Sequence, residues 1–60
     1  MIYLADLLKV IDGDQVIWIK RGHKTIFDGL CEEYRDQVKR EKVEAVWYSK
    51  LFNHLMIDLY

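Results

Sequence analysis

Proline is absent from this chain, and cysteine and serine occur only once each. Without proline, every strand can donate its full ladder of backbone hydrogen bonds. The lone Cys31 excludes an internal disulfide, and with Ser49 as the only serine no Ser-His-Asp set can be assembled. No apolar run approaches the about 20 residues that cross a bilayer, so the sequence predicts no membrane partner.

An excess of charge of either sign is also missing. The formal net charge is −1, which gives no general attraction to nucleic acid or to an anionic membrane. The chain begins with Met, shows no signal peptide and holds an unpaired cysteine. We therefore expect a complete small gene product that stays in the reducing cytoplasm.

Apolar residues are abundant for so short a chain. Its 60 residues make one domain at most, and a domain of this size buries only about 60 % of the surface that the unfolded chain exposes. Yet 52 % of the residues are hydrophobic, including two Trp, four Tyr and two Phe. Association with a partner is then the remaining route to extra stability. We expect a homodimer, formed by pairing edge strands or by packing an uncovered sheet face.

Two pairs of alternating apolar segments predict two β-hairpins, the first with Gly22 in its turn. Helical spacing of apolar residues predicts one short helix before the first hairpin and a second between the hairpins. The predicted elements are helix 3–10, strand 15–20, strand 24–28, helix 30–40, strand 43–48 and strand 55–60. This α-β-β-α-β-β order favours an α+β domain with a four-stranded antiparallel sheet and two short helices on one face.

The first predicted strand is apolar on both sides. Val16 and Trp18 point one way, while Ile17 and Ile19 point the other. Such a pattern is typical of a strand that is covered on both faces. One face can meet the helices, and the other then needs a second cover, such as a partner molecule.

Residues capable of catalysis or metal binding are few, and each has a simpler interpretation. Cys31 could act as a nucleophile, but it lies on the apolar stripe of the second helix, where a small buried hydrophobe explains it. His23 and His54 lie in the two hairpin loops and could share a metal with Asp28 or Asp58 if the loops met, but loop histidines are usually solvated. We expect no catalytic residue, no metal and no cofactor.

The only local concentration of positive charge is at the tip of the first hairpin. A basic tip of this kind can grip phosphates, and Trp18 beside it could stack on a base. The same side chains also serve as ordinary solvation and as protection of a sheet edge. The residues concerned are Lys20, Arg21, His23 and Lys24.

The aromatic residues outnumber what one small core can hold. Packing into the core is the commoner fate of strand aromatics, but Trp and Tyr are also enriched at protein interfaces. The sequence does not settle which sheet face points outward. The candidates for a protein-contact surface are Trp18, Tyr48, Phe52 and Tyr60.

The chain resembles short uncharacterised proteins of phages and mobile elements of Gram-positive bacteria. The residues that carry the resemblance are 7–12 (LLKVID), 16–19 (VIWI), 27–29 (FDG), 43–46 (VEAV) and 55–59 (LMIDL). The resemblance brings no catalytic residues. It implies an accessory protein that works by stoichiometric binding and blocks a host enzyme or defence factor.

Taken together, these observations predict a non-enzymatic protein-interaction module that forms a homodimer and acts as a phage-type inhibitor of a host protein. The alternative is a small nucleic-acid-binding module that uses the basic tip from Lys20 to Lys24.

Overall fold

The structure, a computed structural model, describes residues 2–37 and 40–60 of the chain. The last part of the predicted second helix, with Val38 and Lys39, lies outside the described residues. The elements are β1 (Ile2–Tyr3), α1 (Leu4–Lys9), β2 (Val16–Arg21), β3 (Lys24–Leu30), α2 (Cys31–Tyr34), a 3-10 helix (Arg35–Gln37), β4 (Lys42–Ser49) and β5 (His54–Leu59). The α+β class and both predicted hairpins are confirmed.

The sheet differs from the predicted four-stranded antiparallel one. It has five strands in the order β1-β4-β5-β2-β3, and the central strands β2 and β5 are parallel. Because β3 and β4 are each antiparallel to one of these central strands, β3 and β4 run in the same direction. Strands that run the same way need a crossover connection, and α2 with the 3-10 helix provides it. The helix between the two hairpins therefore allows their adjacent strands, β2 and β5, to lie parallel.

The fifth strand is too short to give a sequence signal. β1 contains only Ile2 and Tyr3, which pair with Val43 and Lys42 of β4. The backbone N–H of Leu4 then donates to Glu41 O at 2.8 Å, which fixes the start of α1 beside this strand. A two-residue strand cannot show the alternation by which longer strands are recognised.

The second helix is shorter than predicted, since α-helical geometry ends at Tyr34 and a 3-10 turn follows. In a continuous α-helix, the Glu33 carbonyl would accept the backbone N–H of Gln37. Here the Glu33 carbonyl accepts a hydrogen bond of 2.9 Å from the side-chain amide of Gln37. Competition of this kind between side chain and backbone favours a tighter turn.

The core lies between the two helices and one face of the sheet. Both helices therefore pack on the same face, as predicted, and Cys31 is fully buried there as a small apolar residue. The buried cluster consists of Leu4, Leu8, Ile17, Ile19, Cys31, Val43, Ile57 and Leu59. No helix within the described ranges is long and apolar enough to cross a membrane.

Arg35 joins the two helical segments. Its Nε donates to Leu8 O at 3.0 Å, and its Nη2 donates to Ile11 O. Leu8 lies in the last turn of α1, where a helix has no backbone partners for its last C=O groups, and Ile11 follows the C-cap residue Val10. A cation at a helix C-terminus also suits the helix dipole. From the 3-10 helix that follows α2, Arg35 therefore stabilises the C-terminal end of α1.

Candidate protein-interaction surface

The sheet face that points away from the helices carries a row of large apolar side chains. In the strand register, Met56 of β5 lies opposite Trp47 of β4 on one side and opposite Trp18 of β2 on the other. His54 precedes Met56 by two residues and therefore shares its face. We call the surface formed by Trp18, Trp47, Phe52, His54 and Met56 the aromatic face.

Met56 shows how this row is built. Its side chain is only 4 % exposed, although it does not belong to the buried cluster beneath the helices. Its cross-strand neighbours are the two indoles, and Trp47 is itself 49 % exposed. Side chains directly opposite each other in neighbouring strands have Cβ atoms about 5 Å apart, close enough for large rings to shield the residue between them. The two tryptophans thus cover Met56, with Trp47 exposed and Trp18 partly buried.

Hydrogen bonds hold both indole rings in place. Trp47 Nε1 donates to Asp58 Oδ2 at 3.1 Å, and Trp18 Nε1 donates to Thr25 Oγ1 at 3.0 Å. Lys20 Nζ lies 5.8 Å from the centre of the Trp18 ring, within the range of a cation–π contact. Because the only polar atom of each indole is already satisfied inside the protein, what remains for an external partner is apolar ring surface.

The β4–β5 turn adds a third aromatic ring. Asn53 adopts a positive φ of 55° and reverses the chain before β5. The Phe52 ring lies 6.0 Å from the His54 ring, which in turn makes an edge contact of 6.1 Å with Trp18. His54 Nδ1 is enclosed and has no hydrogen-bond partner among the described residues. The turn therefore extends the aromatic face beyond the end of the strands.

The four predicted interface residues do not form one surface. Trp18 and Phe52 both belong to the aromatic face. Tyr48 lies on the other side of the sheet, where its hydroxyl donates to Asn53 Oδ1 at 3.2 Å. Tyr60 follows β5 at the end of the strand remote from Phe52 and is 64 % exposed. Trp47, Met56 and His54 were not predicted as site residues, because the outward side of the sheet follows only from the strand register and the position of the helices.

The basic hairpin tip is partly engaged within the protein. Arg21 Nε donates to Tyr60 O at 2.8 Å, and its guanidinium also pairs with Glu41. Lys20 lies over Trp18, as described above. His23 and Lys24 are exposed at the turn beside Gly22, which has a φ of 62°. Of the four predicted nucleic-acid contacts, two therefore have partners inside the protein and two point to solvent.

The two histidines lie at opposite ends of the sheet. β2 and β5 are parallel, so His54 at the start of β5 is level with the start of β2, whereas His23 follows the end of β2. Six strand residues span about 20 Å, which is too far for one metal ion. The hypothesis of a metal shared between the hairpin loops is therefore wrong. Within residues 2–37 and 40–60, no group of three His, Cys, Asp or Glu side chains is placed to hold a metal.

Comparison of the chain with protein-family models, with curated proteins and with solved structures finds no match. The geometry of the molecule itself therefore carries the functional argument. Its most unusual feature is the aromatic face, since two tryptophans and a phenylalanine on one side of so small a sheet are not part of the buried core.

Proposed function

We propose that this protein is a non-enzymatic protein-interaction module whose aromatic face binds a partner protein. The observation that carries the proposal is the row Trp47–Met56–Trp18 on the sheet face opposite the helices. Exposed apolar patches on small proteins mark interaction sites, and tryptophan is the residue most enriched among those that dominate binding energy.

The surroundings of the row resemble the layout of protein interfaces. Such interfaces combine an apolar centre, rich in aromatic residues and methionine, with a polar rim. Here Asp58 and Lys20 occupy the next pair along β5 and β2, and Asp28 lies opposite Trp18 on β3. The mixed charge of this rim favours a protein surface over a phosphate backbone, which would require an excess of cations.

In its sharpest form, the proposal is a phage-type inhibitor that acts as a homodimer and binds a host enzyme or defence protein stoichiometrically. The resemblance to small proteins of phages and mobile elements supports this form. The free, fully buried thiol of Cys31 suits the reducing cytoplasm of the host cell.

A binding experiment with matched variants tests the aromatic face. The tagged chain is used to isolate a protein from a Gram-positive bacterial extract, and the purified partner is titrated by calorimetry. We expect one partner subunit per chain. Trp47→Ala and Phe52→Ala should each weaken binding at least about tenfold, since truncation of a central aromatic residue costs about 2 kcal/mol or more.

Val10→Ala is the matched control. Val10 is 81 % exposed and follows α1, on the helix side of the sheet, so this variant should bind within about twofold of the wild type. If both aromatic variants bind as tightly as the wild type, the aromatic face is not the binding site and the proposal is wrong.

The second candidate is the nucleic-acid-binding module at the basic tip. It is favoured by the exposure of His23 and Lys24 beside Lys20 and the Trp18 ring. The double variant Lys20→Glu/Lys24→Glu leaves the Arg21 contacts with Tyr60 and Glu41 intact. If the tip binds nucleic acid, this variant should abolish binding to single-stranded DNA or RNA at about 50 mM salt, where phosphate contacts are strongest. Absence of wild-type binding under these conditions rejects the candidate.

A further inference from the structure

Most of the outer edge of β4 has no strand beside it. β1 pairs only with Lys42 and Val43, and β5 occupies the other edge of β4 along its whole length. Among residues 2–37 and 40–60, no strand pairs with the outer edge of residues 44–49. These six residues present about 20 Å of backbone whose outward N–H and C=O groups are available to a further strand.

This edge carries almost none of the features that keep sheet edges from pairing. Natural edge strands are blunted by charged residues, by proline or by bulges. Residues 45–49 have no charge and no proline, and Val46, Trp47 and Tyr48 are between 41 % and 49 % exposed. β4 has a register shift of its own between Val43 and Ala45, so the regular part of this edge begins at Ala45. The opposite edge, β3, contains Lys24 and Asp28 and also pairs with β2 through a register shift. Residues 45–49 therefore carry less protection than β3.

We propose that two copies of this chain pair antiparallel through their β4 edges, around a two-fold axis that passes through Trp47. The proposal rests on the homodimer of the proposed function and names the surface that forms it. A second copy is the occupant that the edge fits best, because the edge is complementary to itself in one register.

Symmetry and the strand pleat restrict that register. Opposed residues of antiparallel strands have their side chains on the same side of the sheet. The two-fold axis therefore passes between a residue and its own copy in the second chain, and not between two different residues. The midpoint of the stretch from Glu44 to Lys50 is Trp47. With the axis there, the opposed pairs across the two subunits are Trp47 with Trp47, Val46 with Tyr48, and Ala45 with Ser49. Glu44, at the register shift, and Lys50, in the turn after β4, flank these pairs and approach each other across the two subunits.

The Trp47 pair, the pair of Val46 with Tyr48 and the flanking charges are favourable in this register, and the register centred on Val46 is less so. Aromatic pairs, aromatic–β-branched pairs and opposite charges stabilise antiparallel strands. Glu44 and Lys50 are both exposed, and the two-fold axis produces their ion pair twice. An axis at Val46 would instead oppose Lys42 with Lys50 and would require the edge of Val43, which already pairs with Ile2.

The resulting dimer has one continuous sheet of ten strands, twice the five of each chain. Because the axis is perpendicular to the sheet, both aromatic faces lie on the same side and meet at the two Trp47 side chains. The dimer edge and the aromatic face share Trp47. Phe52 belongs only to the aromatic face, and Glu44 and Lys50 lie only at the dimer edge, so variants at these positions let the two proposals fail separately.

A charge exchange tests the register. Sedimentation equilibrium of the wild type should show a dimer at micromolar concentration. Glu44→Lys places lysine opposite Lys50 twice, and Lys50→Glu places glutamate opposite Glu44 twice, so each should weaken the dimer about tenfold. The double variant Glu44→Lys/Lys50→Glu restores both ion pairs and should return the dissociation constant to within about threefold of the wild type.

Exposed charges elsewhere provide the controls. Asp36→Lys in the 3-10 helix and Lys9→Glu in α1 change the net charge equally without touching β4, and both should leave the dimer unchanged. A wild type that is monomeric at about 100 µM overturns the proposal, and so does a wild-type dimer that neither single charge reversal weakens. Partner binding through Phe52 would stand in either case, and loss of partner binding alone would leave the dimer in place.

Discussion

Replacing Arg35 by alanine should destabilise the fold far more than replacing an exposed charged residue such as Lys9. The side chain reaches from the start of the 3-10 helix to the end of α1, where it donates to Leu8 O and Ile11 O. It also contacts Cys31 Sγ at 3.7 Å within the core. Alanine removes both donors and leaves two partly buried carbonyls without these partners.

The magnitude follows from these contacts. A hydrogen bond that involves a charged group contributes about 1.5–3 kcal/mol, and the lower end applies because Arg35 is only partly buried. Two such bonds give a loss of about 3 kcal/mol in the free energy of unfolding. A domain of this length has a total stability of about 3–9 kcal/mol, and each kcal/mol lost lowers Tm by about 4–8 °C. We therefore expect Tm to fall by about 15 °C.

Urea and thermal unfolding followed by circular dichroism measure this loss directly. Arg35→Lys keeps the charge but lacks the planar fork of donors, so it should recover only part of the stability. Lys9→Ala is the control, since Lys9 makes only an exposed ion pair of 3.9 Å with Asp6 and should change the stability by less than about 0.5 kcal/mol. If Arg35→Ala lowers the free energy of unfolding by less than about 0.5 kcal/mol, Arg35 does not stabilise the C-terminal end of α1 in this way.

Two further substitutions test the turns. Gly22→Ala should lower the free energy of unfolding in urea by about 1 kcal/mol, because a Cβ at φ +62° meets no atom within 4 Å and only backbone strain opposes it. Gly22→Asn should cost less, since asparagine tolerates this conformation better. Equal stability of the wild type and both variants would contradict the strain argument. His54→Phe should stabilise the protein by about 1 kcal/mol, since it removes Nδ1, which has no partner among the described residues, and keeps ring contacts with Trp18 and Phe52. A lower Tm for this variant would contradict the prediction and show that Nδ1 has a hydrogen-bond partner in solution.

The elements with strong periodicity were predictable from the sequence. The alternation of Val16 and Trp18 with Ile17 and Ile19 is confirmed, since both isoleucines are fully buried under the helices. All four predicted strands are present, with ends that differ by no more than two residues from those expected. Burial on one face imposes a period of two on the sequence, and this is why such strands can be recognised without a structure.

The strand order and the parallel central pair were not predictable in the same way. The residues of β2 and β5 are apolar on their inner face whether the two strands run parallel or antiparallel. Their relative direction depends on the path of the crossover from β3 to β4, which is a property of helix packing and chain length. The predicted antiparallel sheet was therefore wrong at one contact, between the two hairpins.

The candidate surface was predicted only in part for a related reason. Alternation shows that Trp47 and Tyr48 point to opposite sides of β4, but it does not show which side the helices cover. The register with β5 decides this, because Trp47 lies opposite Met56 while Tyr48 lies opposite the inward-facing Leu55. A long-range contact thus determines which of two adjacent aromatic residues joins the aromatic face.

The composition of β4 does not match its position in a single chain. Strands that are apolar on both sides are typical of sheet interiors, and residues 45–48 (AVWY) have this character. In the monomer, however, all four of these residues are exposed, and the outer edge of this segment has no partner among the described residues. Pairing with a second β4 would place this strand in the middle of a ten-stranded sheet, where its sequence is the expected one. The same pairing would explain why charge appears only at the ends of the segment, at Glu44 and Lys50, where a two-fold axis would bring opposite signs together.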